Sequence, residues 1–324
     1  MKRSKEKITL SILLAAVLVV GIVGYMIYVQ HQFYTESTKN LLETYEQVDK
    51  TFTMFAQRNW NVLSEWGSNL QDDADGEAVR ASLCLFNQQK PTWKYSGLYL
   101  FNEDCTYLDA EGGYGSAKHI WGAFSEMYTT GLPCVGSYTM KNGERRVVFT
   151  VPIEPVEVDG ETYTCIAVSY DNETLEEMIG GHAYNGQSDC YIIYPSGDIM
   201  LSEEPKSEIE PRMENLFDFL EQNAQVNTNA LAKMREDVQN SGRGSVAYRY
   251  GGKSYYLVYQ PVGFQSLSLV GIVDRSVVDA GMRKIQTATI LLLIALMAGI
   301  VFTLVRFVRI NARQEVEEKA RRPS

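Results

Sequence analysis

Two stretches of the chain are apolar without interruption. Ile8 to Val29 (ITLSILLAAVLVVGIVGYMIYV) holds no charge over 22 residues and Ala288 to Val305 (ATILLLIALMAGIVFTLV) none over 18. Both are close to the roughly 20 residues that cross the hydrocarbon of a bilayer, so they predict transmembrane helices at 8–29 and 285–307. Basic residues flank each run on its outer side: MKRSKEK before the first, and Arg306, Arg309, Arg313, Arg321 and Arg322 after the second. Lys and Arg stay on the cytoplasmic side, which puts both ends inside and everything between them outside. The first run is longer than the apolar core of a secretion signal, and no small-x-small cleavage site follows Tyr28.

Between the runs the pattern changes twice. From Phe33 to Leu70, apolar residues recur at three and four (Leu41, Tyr45, Val48, Phe52, Phe55 and, after a slip, Leu63, Trp66 and Leu70). This is the period of an amphipathic helix, on the order of 57 Å long for about 38 residues. Aromatic residues along its seam suit packing against a globular domain better than a tight coiled coil. QDDADGE (71–77) ends it, and the period then moves towards two. GLYLF and CTYLDA flank the turn residues Asn102, Glu103 and Asp104 and predict a hairpin. A helix over 117–128 and strands near 135–140, 145–152 and 162–169 follow.

The same order then returns: a hairpin of CYIIY, PSGD and IMLS, a mostly helical stretch over 210–240, and strands from SVAYRY, SYYLVYQPV and LSLVGIVD. GSYTMKNGERRVVFTVPI (136–153) aligns with GSVAYRYGGKSYYLVYQPV (244–262), a repeat with a period of about 108 residues. Each copy closes on a buried strand running into a helix, with Asp171 and Ser276 as candidate N-caps. Each half therefore reads β-β-α-β-β-β, and the fold class is α+β.

Charge and chemistry narrow the function. Residues 30–284 hold 36 Asp and Glu against 20 Lys and Arg, a net of −16, which excludes nucleic acid and anionic lipid as partners. Five cysteines (Cys84, Cys105, Cys134, Cys165, Cys190) form no CxxC and no metal-ligand spacing. They read as thiols in strand cores, with one or two disulfides as the alternative. Only three histidines are present (His31, His119, His182), without HExxH or GxSxG, so no catalytic constellation, metal or cofactor is expected. EGGYGS (111–116) lacks the lysine of a phosphate loop and reads as a turn before a helix.

An N-terminal span, a long outer helix, two tandem strand-rich modules and a second span resemble the double Cache sensor region of bacterial receptors. The resemblance rests on strand and turn patterns such as LVGIVDRSVVDAG. It implies two tandem antiparallel five-stranded PAS-like modules on a long N-terminal helix, flanked by transmembrane helices. The boundaries are a cytoplasmic N-terminus at 1–7, a span at 8–29, the helix at 30–70, a membrane-distal module at 71–170, a membrane-proximal module at 171–284, a span at 285–307 and a cytoplasmic helical stub at 308–324. INARQEVEEKA is similar to the linkers that lead to a histidine kinase dimerisation helix or a diguanylate cyclase, an output module absent from this chain.

The resemblance further implies a homodimer of a membrane-bound two-component receptor that binds a small molecule in its distal module. A pocket needs apolar walls and a few convergent polar groups, and the residues expected to supply them are Trp93, Lys94, Tyr95, Asp109, Tyr114, Trp121 and Tyr138. Amino-acid-binding members share an Arg-x-Trp-Tyr stretch and an Asp. Here the nearest stretch is KPTWKY, without the Arg, and Ser169 stands where the Asp falls. The alternative function is a membrane-anchored surface binding or adhesion protein.

Overall fold

The computed structural model describes residues 2–71, 75–117, 121–139, 145–179, 188–202 and 213–278, with isolated positions between 287 and 309. The chain divides into two compact units, residues 40–275 and residues 1–39 with 276–324.

The first helix, α1 (Lys2–Gln71), is unbroken over 70 residues, longer than the period alone marks out, because no proline interrupts it. In the larger unit its buried stripe is Leu41, Tyr45, Val48, Phe52, Ala56, Leu63, Trp66 and Leu70. The slip in the sequence period is taken up by Ala56 and by a buried Asn59, whose side chain accepts from the Tyr170 hydroxyl at 2.8 Å and donates to Phe55 O at 2.9 Å.

Beyond α1 the expected drift to a strand period does not occur at once. Asp75 caps α2 (Gly76–Asn87) by accepting from Ala78 N at 2.8 Å, and α3 (Lys90–Trp93) follows, ending where Lys94 turns left-handed at φ 58°. The strong N-cap outweighs a short apolar pattern that fits either period.

Two antiparallel sheets follow. The first contains β1 (Gly97–Phe101), β2 (Thr106–Asp109), β3 (Tyr114–Ser116), β4 (Cys134–Thr139), β5 (Arg145–Val158) and β6 (Glu161–Asp171), with α4 (Trp121–Thr130) before β4 and α5 (Asn172–Ile179) after β6. The second contains β7 (Ser188–Ile193), β8 (Ile199–Ser202), β9 (Gln225–Val226), β10 (Gly244–Tyr250), β11 (Lys253–Pro261) and β12 (Ser268–Asp274), with α6 (Leu216–Gln222) and α7 (Thr228–Gln239) on either side of β9. Their strand orders are β3-β2-β1-β6-β5-β4 and β8-β7-β12-β11-β10-β9.

The sheets are thus six-stranded, not five-stranded as expected. Five strands of each share one order (β2-β1-β6-β5-β4 and β8-β7-β12-β11-β10), and each sheet adds one short edge strand, on opposite edges. The additions are three and two residues long, too short to show an alternation. β3 lies within the glycine turn EGGYGS, and β9 divides the stretch expected as one helix over 210–240. Both predicted hairpins form. The expected cap at Asp171 forms, with Thr174 N donating to its carboxylate at 2.7 Å. Ser276 instead sits within the helical residues 275–278, after Asp274.

One face of both sheets packs on α1. Phe52 and Phe55 meet Phe149, and Phe55 meets Tyr170, at centroid distances of 5.1 to 6.3 Å. Further down, Tyr45 lies over Gly271, where a Cβ would stand 2.0 Å from the ring, so only glycine admits the tyrosine there. All five cysteines are free thiols, four of them buried. Of the two runs expected to cross a membrane, the first is helical throughout with its side chains described only in part, the second is described only at isolated positions, and the tail 310–324 lies outside the described residues. Among the described residues no helix is long and apolar enough to span a bilayer.

Candidate functional site

The first sheet has a second face, turned away from α1. Antiparallel partners share a face, and the register sets Gly97, Tyr99 and Phe101 of β1 against Ser169, Ala167 and Cys165 of β6. Val148 and Thr150 of β5 continue that row, and Gly136 and Cys134 of β4 complete it. The alternate positions (Leu98, Leu100, Ile166, Val168, Phe149) are large and buried and belong to the α1 face.

Among the described residues, the buried hydrophobic part of this second face is Phe101, Cys105, Ala117, Met127, Cys134, Val148, Cys165 and Ala167. Five of these are Cys or Ala, so the floor is low. Tyr99, Tyr107, Tyr128 and Tyr138 pack against it, and α4 covers it through Met127 and Tyr128. Tyr99, Phe101 and Tyr107 form an aromatic trio with centroids 5.1 to 5.7 Å apart.

Hydroxyls converge within this apolar setting. Tyr99 Oη lies 3.4 Å from Oγ of the wholly buried Ser169, longer than an ordinary O–H···O bond. Burial raises the Tyr138 phenol well above its ordinary pKa; Tyr99 adds to the shift and a hydrogen bond with Ser169 opposes it. Burial also raises Tyr107, with Tyr99 and Asp109 contributing, and Tyr128, whose hydroxyl donates to Asn102 O at 3.0 Å. At neutral pH these phenols keep their protons and can both donate and accept. Burial pushes the Cys134 thiol up to about 12 and Cys165 higher, so neither offers the thiolate a nucleophile needs. The face is equipped to bind a polar molecule between aromatic walls.

Of the residues expected from sequence, Tyr138 and Asp109 belong to this face. The Asp109 carboxylate is engaged in its own turn, accepting from Glu111 N at 2.9 Å and Gly113 N at 2.7 Å. Trp121 begins α4, and its side chain lies outside the described residues. The remaining four are held elsewhere. Trp93 stacks under the Arg58 guanidinium of α1 at 4.3 Å, and Lys94 pairs with Glu177 at 3.6 Å in solvent. Tyr95 is buried between α1 and α2, with its hydroxyl donating to Phe86 O at 3.0 Å. Tyr114 is 57% exposed and bonds Arg80 and Asp159, tying β3 to α2 and to the β5–β6 turn.

Tyr99 and Ser169 escaped the sequence reading as site residues. A partial signal was present: in TCIAVSY the small Cys165, Ala167 and Ser169 share one parity and Ile166, Val168 and Tyr170 the other, and in GLYLF Leu98 and Leu100 alternate with Gly97, Tyr99 and Phe101. A separate open groove of about 530 Å³ lies at the end of α1, lined by Leu70, Asp75, Val79, Glu154, Glu157 and Asp159. Two of its carboxylates are already engaged in structure, Asp159 with Arg80 and Tyr114 and Asp75 as the cap of α2. Among the described residues no group of three or more His, Cys, Asp or Glu could hold a metal.

Neither a protein-family model nor a curated protein matches the sequence. Solved structures do match. The extracellular domain of mmHK1S-Z3, a protein assigned as a histidine kinase, has 16% identity and a TM-score of 0.54, over 78% of this chain and 98% of that one. The ligand-binding domain of the Pseudomonas aeruginosa PAO1 amino-acid chemoreceptor PctB, in complex with L-Gln, has 16% identity and a TM-score of 0.53, over 77% and 98%. The ligand-binding domain of Mlp24 with asparagine has 15% identity and a TM-score of 0.50, over 77% and 97%. These are sensory, ligand-binding domains rather than catalytic ones. The chain has the fold of the extracytoplasmic double Cache sensor region, two PAS-like modules in tandem on one long helix.

Proposed function

We propose that this chain is the sensing part of a membrane-anchored receptor, binding a small polar molecule on the hydroxyl-bearing face of its first module. The observation that carries the reading is the convergence of Tyr99, Tyr138 and Ser169 over a floor of small side chains. Ser169 meets Tyr99 at 3.4 Å and bonds Tyr138, and a hydroxyl, with one donor and two acceptor sites, has room for a ligand atom beside them. Amino acids are the first ligands to test, because PctB and Mlp24 hold them on the same fold. Residues 93–95 and Tyr114 then act as scaffold, and Trp121 stands at the end of the helix that covers the face.

Membrane anchoring draws support from the apolar runs. Val17, Val20, Val23 and Ile27 on α1, and Leu291 and Phe302 in the second run, each leave half or more of their surface exposed. Contiguous apolar surface of this kind is unfavourable in water and suited to lipid. The first module is then distal to the membrane and the second proximal, with a cytoplasmic output module of histidine kinase or cyclase type beyond the second span.

The test is a thermal-shift screen of the full chain in nanodiscs against amino acids and other small polar metabolites. At least one should raise the melting temperature, with the shift abolished by Tyr138→Ala or Ser169→Ala and kept by Tyr248→Phe in the second module. A shift lost only with Tyr248→Phe would place the ligand in the other module. Labelling of intact cells should reach Ser207→Cys but not Ser4→Cys or Ser324→Cys, and the opposite pattern would invert the topology.

A further inference from the structure

β4 is the outer strand of the first sheet, so the N–H groups on its free side have no strand partner. The second module supplies a partner for two of them: Val135 N–H donates to Gln265 Oε1 at 2.8 Å, and Ser137 N–H to the Tyr194 hydroxyl at 3.3 Å. Gln265 is bonded a second time, its Nε2 donating to Glu126 Oε2 on α4 at 3.0 Å. One side chain from the loop between β11 and β12 therefore holds both elements that carry Tyr138, Met127 and Tyr128 on the second face.

Gln265 also has φ 52°, in the left-handed region that non-glycine residues seldom adopt. Such strain persists only where the surroundings over-determine it, and here they do. Next to it, Phe264 packs on Phe52 at 5.4 Å and Trp60 at 4.9 Å, and Gly263 N–H donates to Asp49 at 3.2 Å, all on α1. Trp60 Nε1 in turn donates to Cys134 O at 3.2 Å, on the residue before Val135. The loop is wedged between α1 and β4. β12 starts three residues later and runs to Asp274, where residues 275–278 turn helical towards the second apolar run.

The geometry points to Gln265 as the residue that couples the first module's ligand face to β12. An inward shift of α4 or β4 drags Gln265 by two bonds at once, and the loop passes the displacement to the strand that leaves the sensor. This rests on the first-module face being the ligand site. It requires a ligand that favours one of two arrangements over the other.

The test uses substitutions in place of a ligand, so that failure to find a ligand and failure of the coupling stay distinct. In the full chain, hydrogen exchange is followed at β12, with β10 as the internal reference. Tyr138→Ala and, separately, the milder Ser169→Ala should each change exchange across β12 about fivefold or more relative to β10, the lower end of ordinary coupling between sites. In a Gln265→Ala background the same substitutions should leave β12 unchanged, and Gln265→Glu, which retains an acceptor for Val135 but repels Glu126, should fall between. The coupling is overturned if β12 responds equally with and without Gln265, if β10 changes as much as β12, or if β12 does not respond at all.

Discussion

The two modules share five strands in one order and differ in what lies on the face away from α1. In the second module, eighteen described hydrophobic residues are buried there, none smaller than valine, including Phe217, Phe219, Tyr248, Tyr255 and Ile272, with Ser268 beside them at the start of β12. In the first, eight hydrophobic residues are buried, five of them Cys or Ala, together with Ser169 and Thr150 and with tyrosines around them. One topology thus supports a filled core in one place and a low, hydroxyl-bearing floor in the other. The strand order is set by backbone pairing and by the α1 face, which both modules pack in the same way. The second face is free to vary without losing the fold, which is what the proposed division into a ligand-binding copy and a supporting copy requires.

The largest effect that would break this contrast is a cavity in the support. Phe217→Ala should cost about 3–5 kcal/mol in urea denaturation, as for other fully buried aromatic rings. Tyr99→Phe in the first module removes only a loosely bonded hydroxyl and should cost less than about 1.5 kcal/mol while weakening ligand binding. Equal losses at the two positions would mean that the first face is also ordinary core.

A middle-sized effect sharpens the comparison through charge. Asp171, at the end of β6, titrates below its ordinary value: burial raises its pKa, but hydrogen bonds from Thr174 and Ser96 outweigh it. Its stabilisation is present above the unfolded carboxylate pKa and lost as pH falls through the folded one. Asp171→Ala should cost about 1 kcal/mol at neutral pH, with the difference in melting temperature shrinking in acid. Asp49, on α1 beside the second module, is shifted the other way, chiefly by burial, against a hydrogen bond from Gly263. A raised acid favours the fold below its unfolded pKa and loses that advantage as pH rises through the folded value. Asp49→Asn should therefore raise the melting temperature at neutral pH, with the gain disappearing in acid.

The smallest effect concerns Ser268, whose buried hydroxyl has no hydrogen-bond partner among the described residues. Ser268→Ala removes an unsatisfied group and should leave stability unchanged or raise it by under about 1 kcal/mol. A clear loss would reveal a partner for that hydroxyl.

Much of the fold was legible because its signals are long. The α1 seam repeats over eight turns, each hairpin is punctuated by its turn residues, and the 108-residue repeat exposes the module plan. β3, β9 and α2 were missed because two or three residues carry no period and because Asp75 decides α2 by a single cap. Of the residues expected to line a pocket, Tyr138 and Asp109 fall on the second face of the first sheet, whereas Trp93, Lys94 and Tyr95 were chosen by crowding in sequence, which says nothing of the face they occupy. Alternation within TCIAVSY separates the small Cys165, Ala167 and Ser169 from the large Ile166, Val168 and Tyr170. YIIY and SLVGIVD show no such division, and theirs is the filled module.

The most direct test is a hydrogen-exchange footprint of the full chain with the amino acid that gives the largest thermal shift. Protection should fall on β1, β4, β6 and α4, the elements that carry Tyr99, Tyr138, Ser169 and Met127. Protection confined to β7, β10 and α6, with the first sheet unchanged, would contradict the assignment of the ligand to the first module.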